Sequence, residues 1–192
     1  MPKPTRELLI DAAEELLDSG GVDAVTLREV GRRTGVSHNA PYKHFASKEA
    51  LLAAVAAREL HHRAEAIGRD RDSPAGERLR HILLRWITQA VAHPNRFRLI
   101  YGRWSPDASS ELTEAANEAY VALTSLVAEA QRTGALPRDA DPERLAALLR
   151  SVVQGAADLA VSGHLARNGK GRADPQDLVA DLLMFLGRDS RP

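Results

Sequence analysis

Cysteine is absent from this chain of 192 residues. Without a thiol, the chain has no disulfide, no cysteine nucleophile, no thiolate metal site and no thiol redox sensor. It also lacks any run of the roughly 18 consecutive apolar residues that a membrane span needs. The formal net charge is zero, which argues against a polycation that coats nucleic acid along its whole length. A composition of 44% hydrophobic and 27% charged residues is instead typical of an ordinary globular protein.

The N-terminal region lacks the pattern of a secretory leader. Such a leader has a basic start, an uninterrupted apolar core and a cleavage site made of small residues. Here Asp11, Glu14 and Glu15 interrupt the apolar positions of the first helical segment. The sequence therefore predicts a soluble protein that stays in the cytoplasm.

Catalytic and metal-binding signatures are also missing. The sequence contains no G-x-S-x-G nucleophile motif, no G-x-x-x-x-G-K phosphate loop and no H-E-x-x-H zinc motif. His61 and His62 are adjacent, so on a helix their side chains point about 100° apart and cannot chelate one ion together. We expect no enzymatic activity, no metal and no cofactor.

Apolar residues recur with helical spacing through almost the whole chain. Leu8, Leu9, Ala12 and Ala13 begin one broad apolar face, and residues 143–165 form a helix that is apolar nearly all round. The sequence predicts an all-α fold of about nine helices. A polar segment at 68–77, rich in turn-forming residues, separates a predicted first domain at 4–62 from a second at 74–188.

The segment from 24 to 55 predicts two short helices joined by a tight turn, which is the helix-turn-helix arrangement. Thr26 is a suitable N-cap for the first short helix, and Gly35 a suitable end. Ser37 is a suitable cap for the second, placed at about 37–43, and Ser47 begins a longer helix that reaches about Gly68. Residues 26–48 contain five basic residues and one acidic residue, a local charge of +4 that favours contact with phosphate groups.

The same segment resembles the DNA-binding domain of the TetR family of bacterial transcriptional regulators. The resemblance covers about residues 5–60 and depends on many residues at fixed spacing. The matching residues are Thr26, Arg28, Val30, Gly35, Val36, Ser37, Tyr42, His44, Phe45, Ser47, Lys48, Glu49, Leu51 and Leu52. One departure from the family pattern is Pro41, which falls inside the predicted recognition helix and removes a backbone donor there.

The resemblance implies a set of DNA contacts on and beside the recognition helix. The implied residues are Thr26, Arg28, Ser37, His38, Asn39, Ala40, Pro41, Tyr42, Lys43, His44 and Lys48. Within this set Asn39 is the best reader of adenine, whereas Tyr42 and Lys48 are expected to bind the DNA backbone. Other roles stay open: Ser37 also suits a helix cap, and His44 suits packing equally well. Phe45 is expected in the core, and Arg32 and Arg33 suit solvent as well as DNA.

For the second domain the resemblance implies dimerisation through the last two helices, as a four-helix bundle of two helices from each subunit. The expected interface residues are Leu145, Leu149, Val152, Ala156, Leu159, Leu178, Leu182 and Phe185. The alternative is that the apolar helix at 143–165 is simply buried within one chain.

The second domain is also expected to bind a small molecule. Five of the eight aromatic residues lie between positions 86 and 120, and Phe97, Tyr101 and Trp104 have the spacing of one helix face. The candidate ligand-binding residues are Trp86, Phe97, Tyr101, Trp104, Tyr120, Gln154 and Asp158. Plain core packing is the alternative for each aromatic, and pairing with an arginine is the alternative for Asp158. Residues 93–99 also resemble a TetR subgroup named for a Trp-His-Gly motif, of which only Gly155 is present here.

These observations together predict a ligand-responsive repressor. It is expected to bind double-stranded DNA at a palindromic operator as a homodimer, and to leave it when a small hydrophobic effector binds. It is expected in the cytoplasm, associated with the nucleoid when bound to DNA. The alternative is a helical protein that binds a small molecule or a protein and keeps the fold without operator binding. The concentration of positive charge at 26–48 favours the first reading.

Overall fold

The computed structural model describes residues 3–69, 71–105, 109–166, 168 and 171–188. Within these ranges the chain forms nine α-helices and no strand, as the sequence predicts. The helices are α1 (Thr5–Ala24), α2 (Leu27–Thr34), α3 (Ala40–His44), α4 (Lys48–Gly68), α5 (Ala75–Ala92), α6 (Pro94–Ile100), α7 (Ser110–Arg132), α8 (Pro142–Val161) and α9 (Pro175–Arg188). No helix in the described part of the chain is long and apolar enough to cross a membrane.

The ends of the N-terminal helices follow the local sequence. The Thr26 hydroxyl accepts a hydrogen bond from the Glu29 amide at 3.1 Å, which caps α2. Gly35 ends α2 in the left-handed conformation, with φ of 66°, where a side chain would be strained. The Ser47 hydroxyl accepts from the Ala50 amide at 3.1 Å and caps α4. The sequence predictions for these three residues are confirmed.

The helices form two compact units that are not continuous in sequence. The first unit contains the described residues of Met1–His62 and His93–Asn117, and the second contains those of Arg63–Ala92 and Glu118–Pro192. Residues 93–105 and 109–117 therefore belong with the N-terminal helices, although the sequence predicts them in a domain at 74–188. A polar contact between residues distant in sequence holds this segment there: the Asn95 side-chain amide donates to the Leu17 carbonyl at 2.9 Å.

A part-buried ion-pair cluster joins α6 to α1 and α4 within the first unit. The Arg96 guanidinium lies 2.7 Å from Asp18, 3.1 Å from Glu59 and 3.3 Å from Glu14. Glu14 also lies 3.3 Å from Arg58, so it is shared by two arginines. Burial raises the pKa of Glu14 above its ordinary value, while the positive charges of Arg58 and Arg96 oppose that rise. The cluster ties three helices together through charge-assisted hydrogen bonds.

The second unit is built on the mutual packing of α5, α8 and α9. Leu79, Leu83, Leu126 and Leu149 are among its fully buried side chains. Arg78 is the buried charged residue of this core, with 8% of its surface exposed. Its guanidinium is compensated by Glu129 at 3.0 Å and by the Ile67 carbonyl at 3.3 Å, as a buried charge requires.

Candidate nucleic-acid interface

The helix pair α2–α3 packs on α1, and within the pair Gly31 of α2 lies directly against Pro41 of α3. A Cβ atom at Gly31 would lie only 2.8 Å from the Pro41 Cγ, so this approach requires glycine. Pro41 is buried in this contact. The prediction that Pro41 faces the major groove is therefore wrong, because its ring fills the space over Gly31.

The candidate recognition helix also begins later than the sequence analysis predicts. It spans Ala40–His44 instead of about 37–43, and Asn39 occupies its N-cap position. Ser37 does not cap it through its side chain; its backbone carbonyl accepts from the Ala40 amide at 2.9 Å. Proline explains the shift. A helix that started at Ser37 would need a backbone donor at position 41, whereas a helix that starts at Ala40 places Pro41 in the first turn, where no donor is needed.

The outer surface of this region carries polar and aromatic side chains. The rings of His38 and Tyr42 stack with their centroids 6.1 Å apart and an angle of 18° between their planes. Tyr42 has 51% of its surface exposed, and Asn39, Lys43 and His44 are exposed as well. The structure thus brings a planar stack, an amide and two further basic groups to one exposed surface. Exposure of His44 removes the packing alternative for that residue.

The remaining members of the predicted DNA-contact set lie around this surface. Thr26, Arg28 and Ser37 are exposed, Ala40 and Lys48 are half-buried, and Phe45 is buried at 3% as expected. The Arg6 guanidinium lies 5.5 Å from the centre of the Phe45 ring.

The five basic residues between 26 and 48 divide into two groups. Arg32 donates two hydrogen bonds to Glu29, at 2.8 and 2.6 Å, and Arg33 pairs with the same carboxylate at 3.5 Å. The other three, Arg28, Lys43 and Lys48, form no ion pair with any residue that the structure describes. These three cations are the groups available to a phosphate backbone.

Glu29 is the only carboxylate of this segment, and its hydrogen bond from Arg32 lowers its pKa from 4.5 to about 2. A lowered carboxylate pKa stabilises the fold at pH values above 4.5, and this contribution is lost as the pH falls from 4.5 towards 2. Glu29 is therefore ionised, and holds both arginines, at every pH at which duplex DNA is ordinarily handled.

Substitution of Glu29 by glutamine is expected to strengthen binding to any duplex DNA at low salt. The change removes the charge that holds Arg32 and leaves that guanidinium free to contact phosphates, whereas Arg33 keeps Glu15 at 3.7 Å. Each phosphate newly neutralised adds about 0.9 to the slope of log affinity against log salt concentration. Fluorescence anisotropy with a labelled random duplex over a salt series measures this slope. The control, Glu77→Gln on α5, makes the same charge change in the second unit; an equal gain there would contradict a local role for Glu29.

The candidate ligand residues divide between the two units. Phe97 and Tyr101 meet edge to face, with ring centres 5.2 Å apart, in the first unit. Trp104 belongs to the same unit, but α6 ends at Ile100, so the prediction that these three rings share one helix face is wrong. A seven-residue helix that begins at Pro94 is too short to carry the i, i+7 pair.

The other four candidates belong to the second unit. Trp86 is 6% exposed and has the Arg63 guanidinium 5.1 Å from its ring centre. Tyr120 is 38% exposed, and Gln154 is half-buried. Asp158 is exposed and has no ion pair within the described ranges, so the expected pairing with an arginine is wrong.

The candidate interface residues of α8 and α9 fall on two different faces. Leu145, Leu149 and Ala156 are buried in the core of the second unit, so their assignment to a dimer interface is wrong. Their burial follows from the packing of α8 against α5. Val152 and Leu182 are half-buried.

The exposed members form an apolar stripe on α8 and α9. Leu159, Leu178 and Phe185 are 47%, 38% and 58% exposed, respectively. Leu148 was not among the predicted interface residues, but it is 46% exposed and lies on the same side of α8 as Val152 and Leu159. The positions 148, 152, 155 and 159 have the i, i+4, i+7, i+11 spacing of one helix face, a signal that was available in the sequence. We call the residues Leu148, Val152, Leu159, Leu178 and Phe185 the exposed stripe.

An all-helical chain in which a capped α2, a glycine turn and a short α3 present basic and aromatic side chains is a helix-turn-helix protein. Residues 9–55 match the model of the tetR family of bacterial regulatory proteins. Residues 79–186, more than half of the chain, match the model of the tetracyclin repressor-like C-terminal domain. The chain belongs to the tetR family of bacterial regulatory proteins.

Individual relatives agree with this assignment. A class D tetracycline repressor protein from Escherichia coli is 41% identical over 64 residues, which is 32% of this chain and 29% of the repressor's own length. An uncharacterized HTH-type transcriptional regulator from Pseudomonas putida, TtgW, is 42% identical over 59 residues, which is 31% of this chain and 44% of that protein. A protein of unknown function from Rhodococcus sp. RHA1 has a solved structure that is 30% identical, with a TM-score of 0.82, and the match covers 98% of this chain and 96% of that one.

Proposed function

We propose that this protein is a ligand-responsive transcriptional repressor that binds a palindromic operator in double-stranded DNA as a homodimer. The observation that carries the proposal is the surface around α3. There Asn39 and Tyr42 are exposed beside Lys43, a cation that no described carboxylate neutralises. A surface of this composition matches the major groove and its phosphates, whereas a protein without nucleic acid as a partner gains nothing from it.

Within this proposal the exposed side chains have different roles. Asn39 precedes α3, and its amide suits a bidentate contact with adenine, while His38 and Ala40 lie beside it. Tyr42 and Lys48 bind the backbone, and Arg28, Lys43 and His44 lie at the edge of the groove. Thr26 and the N-terminus of α2 suit a phosphate, because backbone amides and the helix dipole favour an anion there.

The exposed stripe on α8 and α9 supports the homodimer. A single five-residue recognition helix reaches only a few base pairs, so two copies are needed for a specific site. Two stripes facing each other form a four-helix bundle of the kind that the sequence analysis expects, now with Leu148 added and the buried leucines of α8 removed.

The remaining features of the proposal follow from the family. The effector is a small hydrophobic molecule, and its binding favours a dimer whose recognition helices no longer fit successive major grooves. The protein works without enzymatic activity, in the cytoplasm and on the nucleoid when bound to DNA. Membership of the subgroup named for a Trp-His-Gly motif stays a prediction; the C-terminal region matches a tetracyclin repressor-like model.

The test is a selection from random duplex DNA with protein that has been unfolded, dialysed free of small molecules and refolded. Recovery of an inverted repeat whose half-sites are about one helical turn apart supports a dimeric regulator. Recovery of no enriched sequence supports the alternative, a binding protein that keeps the fold without an operator.

Single substitutions separate base reading from backbone binding in the recovered operator. Tyr42→Ala and Lys48→Ala are expected to weaken binding to all duplexes by similar factors, because phosphates are the same in every sequence. Asn39→Ala is expected to change which base is preferred at one position of each half-site, with a cost of about 1–3 kcal/mol at the original base. The measurement is a repeat of the selection with each variant; an unchanged preferred sequence for Asn39→Ala contradicts its role in base reading.

A further inference from the structure

A cavity of about 490 Å³ lies within the first unit, beside the N-terminus of α4. Its apolar walls are Val22, Leu52, Leu99 and Trp104. The volume is in the range of cavities that hold small organic molecules. The cavity is therefore large enough for a compact apolar body.

Trp104 contributes apolar surface to this cavity and no hydrogen-bond donor. Its indole Nε1 is fully buried, so an oxygen atom in the cavity does not reach hydrogen-bond distance of it. The Trp104 side chain therefore favours a ligand with a hydrocarbon body.

The segment that contains Trp104 is attached to α4 by Glu49. The Glu49 carboxylate accepts from the Ser105 hydroxyl at 2.8 Å and from the Ser105 amide at 3.1 Å. The hydroxyl contact, with the amide, lowers the pKa of Glu49. The Glu49 carboxylate is therefore held by Ser105 and stays ionised.

Two cations line the same cavity. Lys48 and Arg103 both contribute to its wall, and neither forms an ion pair with the residues between 3 and 188 that the structure describes. With Glu49 on the same wall, the lining carries a net charge of +1, which favours an anion with an apolar body.

We propose that this cavity is a binding site for a compact apolar carboxylate, a molecule with one carboxylate group and a bulky hydrocarbon body. The hydrocarbon packs against the apolar walls, including the Trp104 ring, and the carboxylate is bound by Lys48 and Arg103. The inference rests on the proposed function, because it names the chemical class of the effector and the site at which it acts.

Lys48 gives the site a direct link to DNA. The proposed function uses the same ammonium group for the DNA backbone, so a carboxylate bound to Lys48 removes one phosphate contact and adds a negative charge nearby. Bound carboxylate and bound DNA therefore weaken each other. Linkage requires the two effects to be equal: the factor by which the carboxylate lowers the affinity for DNA is the factor by which DNA lowers the affinity for the carboxylate.

The test uses 4-tert-butylbenzoate as the probe and tryptophan fluorescence as the readout. The chain has two tryptophans, so Trp86→Phe leaves Trp104 as the only reporter. We expect a saturable change in Trp104 emission with the probe. The neutral amide and the cationic benzylamine of the same hydrocarbon body are expected to bind at least about tenfold more weakly, since they lack the charge that Lys48 and Arg103 attract. Calorimetry on the unmodified chain repeats the measurement without any substitution.

Val22→Phe tests the location. Val22 is 43% exposed and is not itself a proposed DNA contact, and a larger ring at this position fills the cavity while leaving the Lys48 ammonium group in place. The variant is expected to lose the probe response and to keep its affinity for DNA. Val91→Phe, at a residue that is 50% exposed on α5, is the matched control and is expected to respond as the unmodified chain does. A Val22→Phe variant that still binds the probe overturns the proposed site.

The two proposals fail in different ways. If the chain binds duplex DNA and neither Trp104 emission nor calorimetry detects the probe, the carboxylate site is wrong and the regulator stands. If the probe binds, Val22→Phe abolishes that binding and no duplex is bound under any salt condition, the site is right and the proposed function is wrong. If both ligands bind, we expect saturating probe to lower the affinity for the duplex by about tenfold, within the usual range of coupling between sites; independent binding overturns the link through Lys48.

Discussion

Leu159→Glu is expected to convert the protein to a monomer and to lower its affinity for a palindromic operator by about 100-fold or more. Leu159 is 47% exposed on the stripe of α8 and α9. In a two-fold dimer the same patch meets its own copy, so one substitution places two carboxylates in the apolar interface. Loss of the dimer also separates the two half-site contacts, and their combined affinity is lost with it.

The matched control is Val121→Glu. Val121 is 51% exposed on α7, so it accepts the same charge at a similar exposure outside the stripe. Sedimentation equilibrium gives the oligomeric state, and fluorescence anisotropy with the selected operator gives the affinity. A Leu159→Glu variant that remains a dimer places the interface elsewhere on the molecule. Monomers that still bind the full operator tightly contradict the need for two subunits.

Arg96→Ala is expected to have the second large effect, a loss of about 1–3 kcal/mol in the free energy of unfolding. Removal of this guanidinium leaves Glu59 without it, leaves Glu14 with Arg58 alone and leaves Asp18 with His93. Loss of one partner of a part-buried ion pair costs more than the pair contributes, because the remaining charges stay partly shielded from water.

The pH dependence of this variant distinguishes lost charge from lost packing. Arg96 opposes the rise in the pKa of Glu14 that burial causes, so its removal raises that pKa further. Between pH 4.5 and its raised pKa in the folded state, such a carboxylate is protonated in the folded chain and ionised in the unfolded chain. The free energy of unfolding therefore decreases as the pH rises through that interval. The loss in free energy of unfolding that Arg96→Ala causes is therefore expected to be smaller near about pH 5 than at about pH 7.

Urea unfolding followed by circular dichroism, at fixed protein concentration, measures both effects. Arg98→Ala is the control, because Arg98 lies two residues along α6 and is exposed. Its expected change is within about 0.5 kcal/mol, as for other surface positions. A deficit for Arg96→Ala that does not vary with pH contradicts an electrostatic role for the cluster.

The features that the sequence predicts well are those that depend on neighbouring residues. Thr26 and Ser47 cap helices through hydrogen bonds to amides three positions later, and Gly35 supplies a conformation that other residues adopt with strain. These interactions are decided within one turn of chain, so the residue types are sufficient to predict them. The all-α class follows similarly from periodic apolar residues, which need only a partner surface of some kind.

The features that sequence reasoning misses depend on contacts distant in the chain. Periodicity identifies α8 as apolar all round, but it does not say that Leu149 faces α5 while Leu159 is exposed. Likewise the position of α6 depends on Asn95 and Arg96, whose partners on α1 are more than seventy residues earlier in the chain. Pro41 combines both kinds of effect: its missing donor is local, whereas its burial depends on the absence of a side chain at Gly31.

The pairing of Glu29 with two arginines also bears on how long the protein takes to find its operator. A chromosome offers on the order of a million or more competing sites, and affinity for those sites comes almost entirely from phosphate contacts. By occupying Arg32 and Arg33, Glu29 is expected to make each wrong encounter shorter without touching any group that the proposed function assigns to base reading. The same carboxylate therefore sets a balance between residence on random DNA and the rate of search.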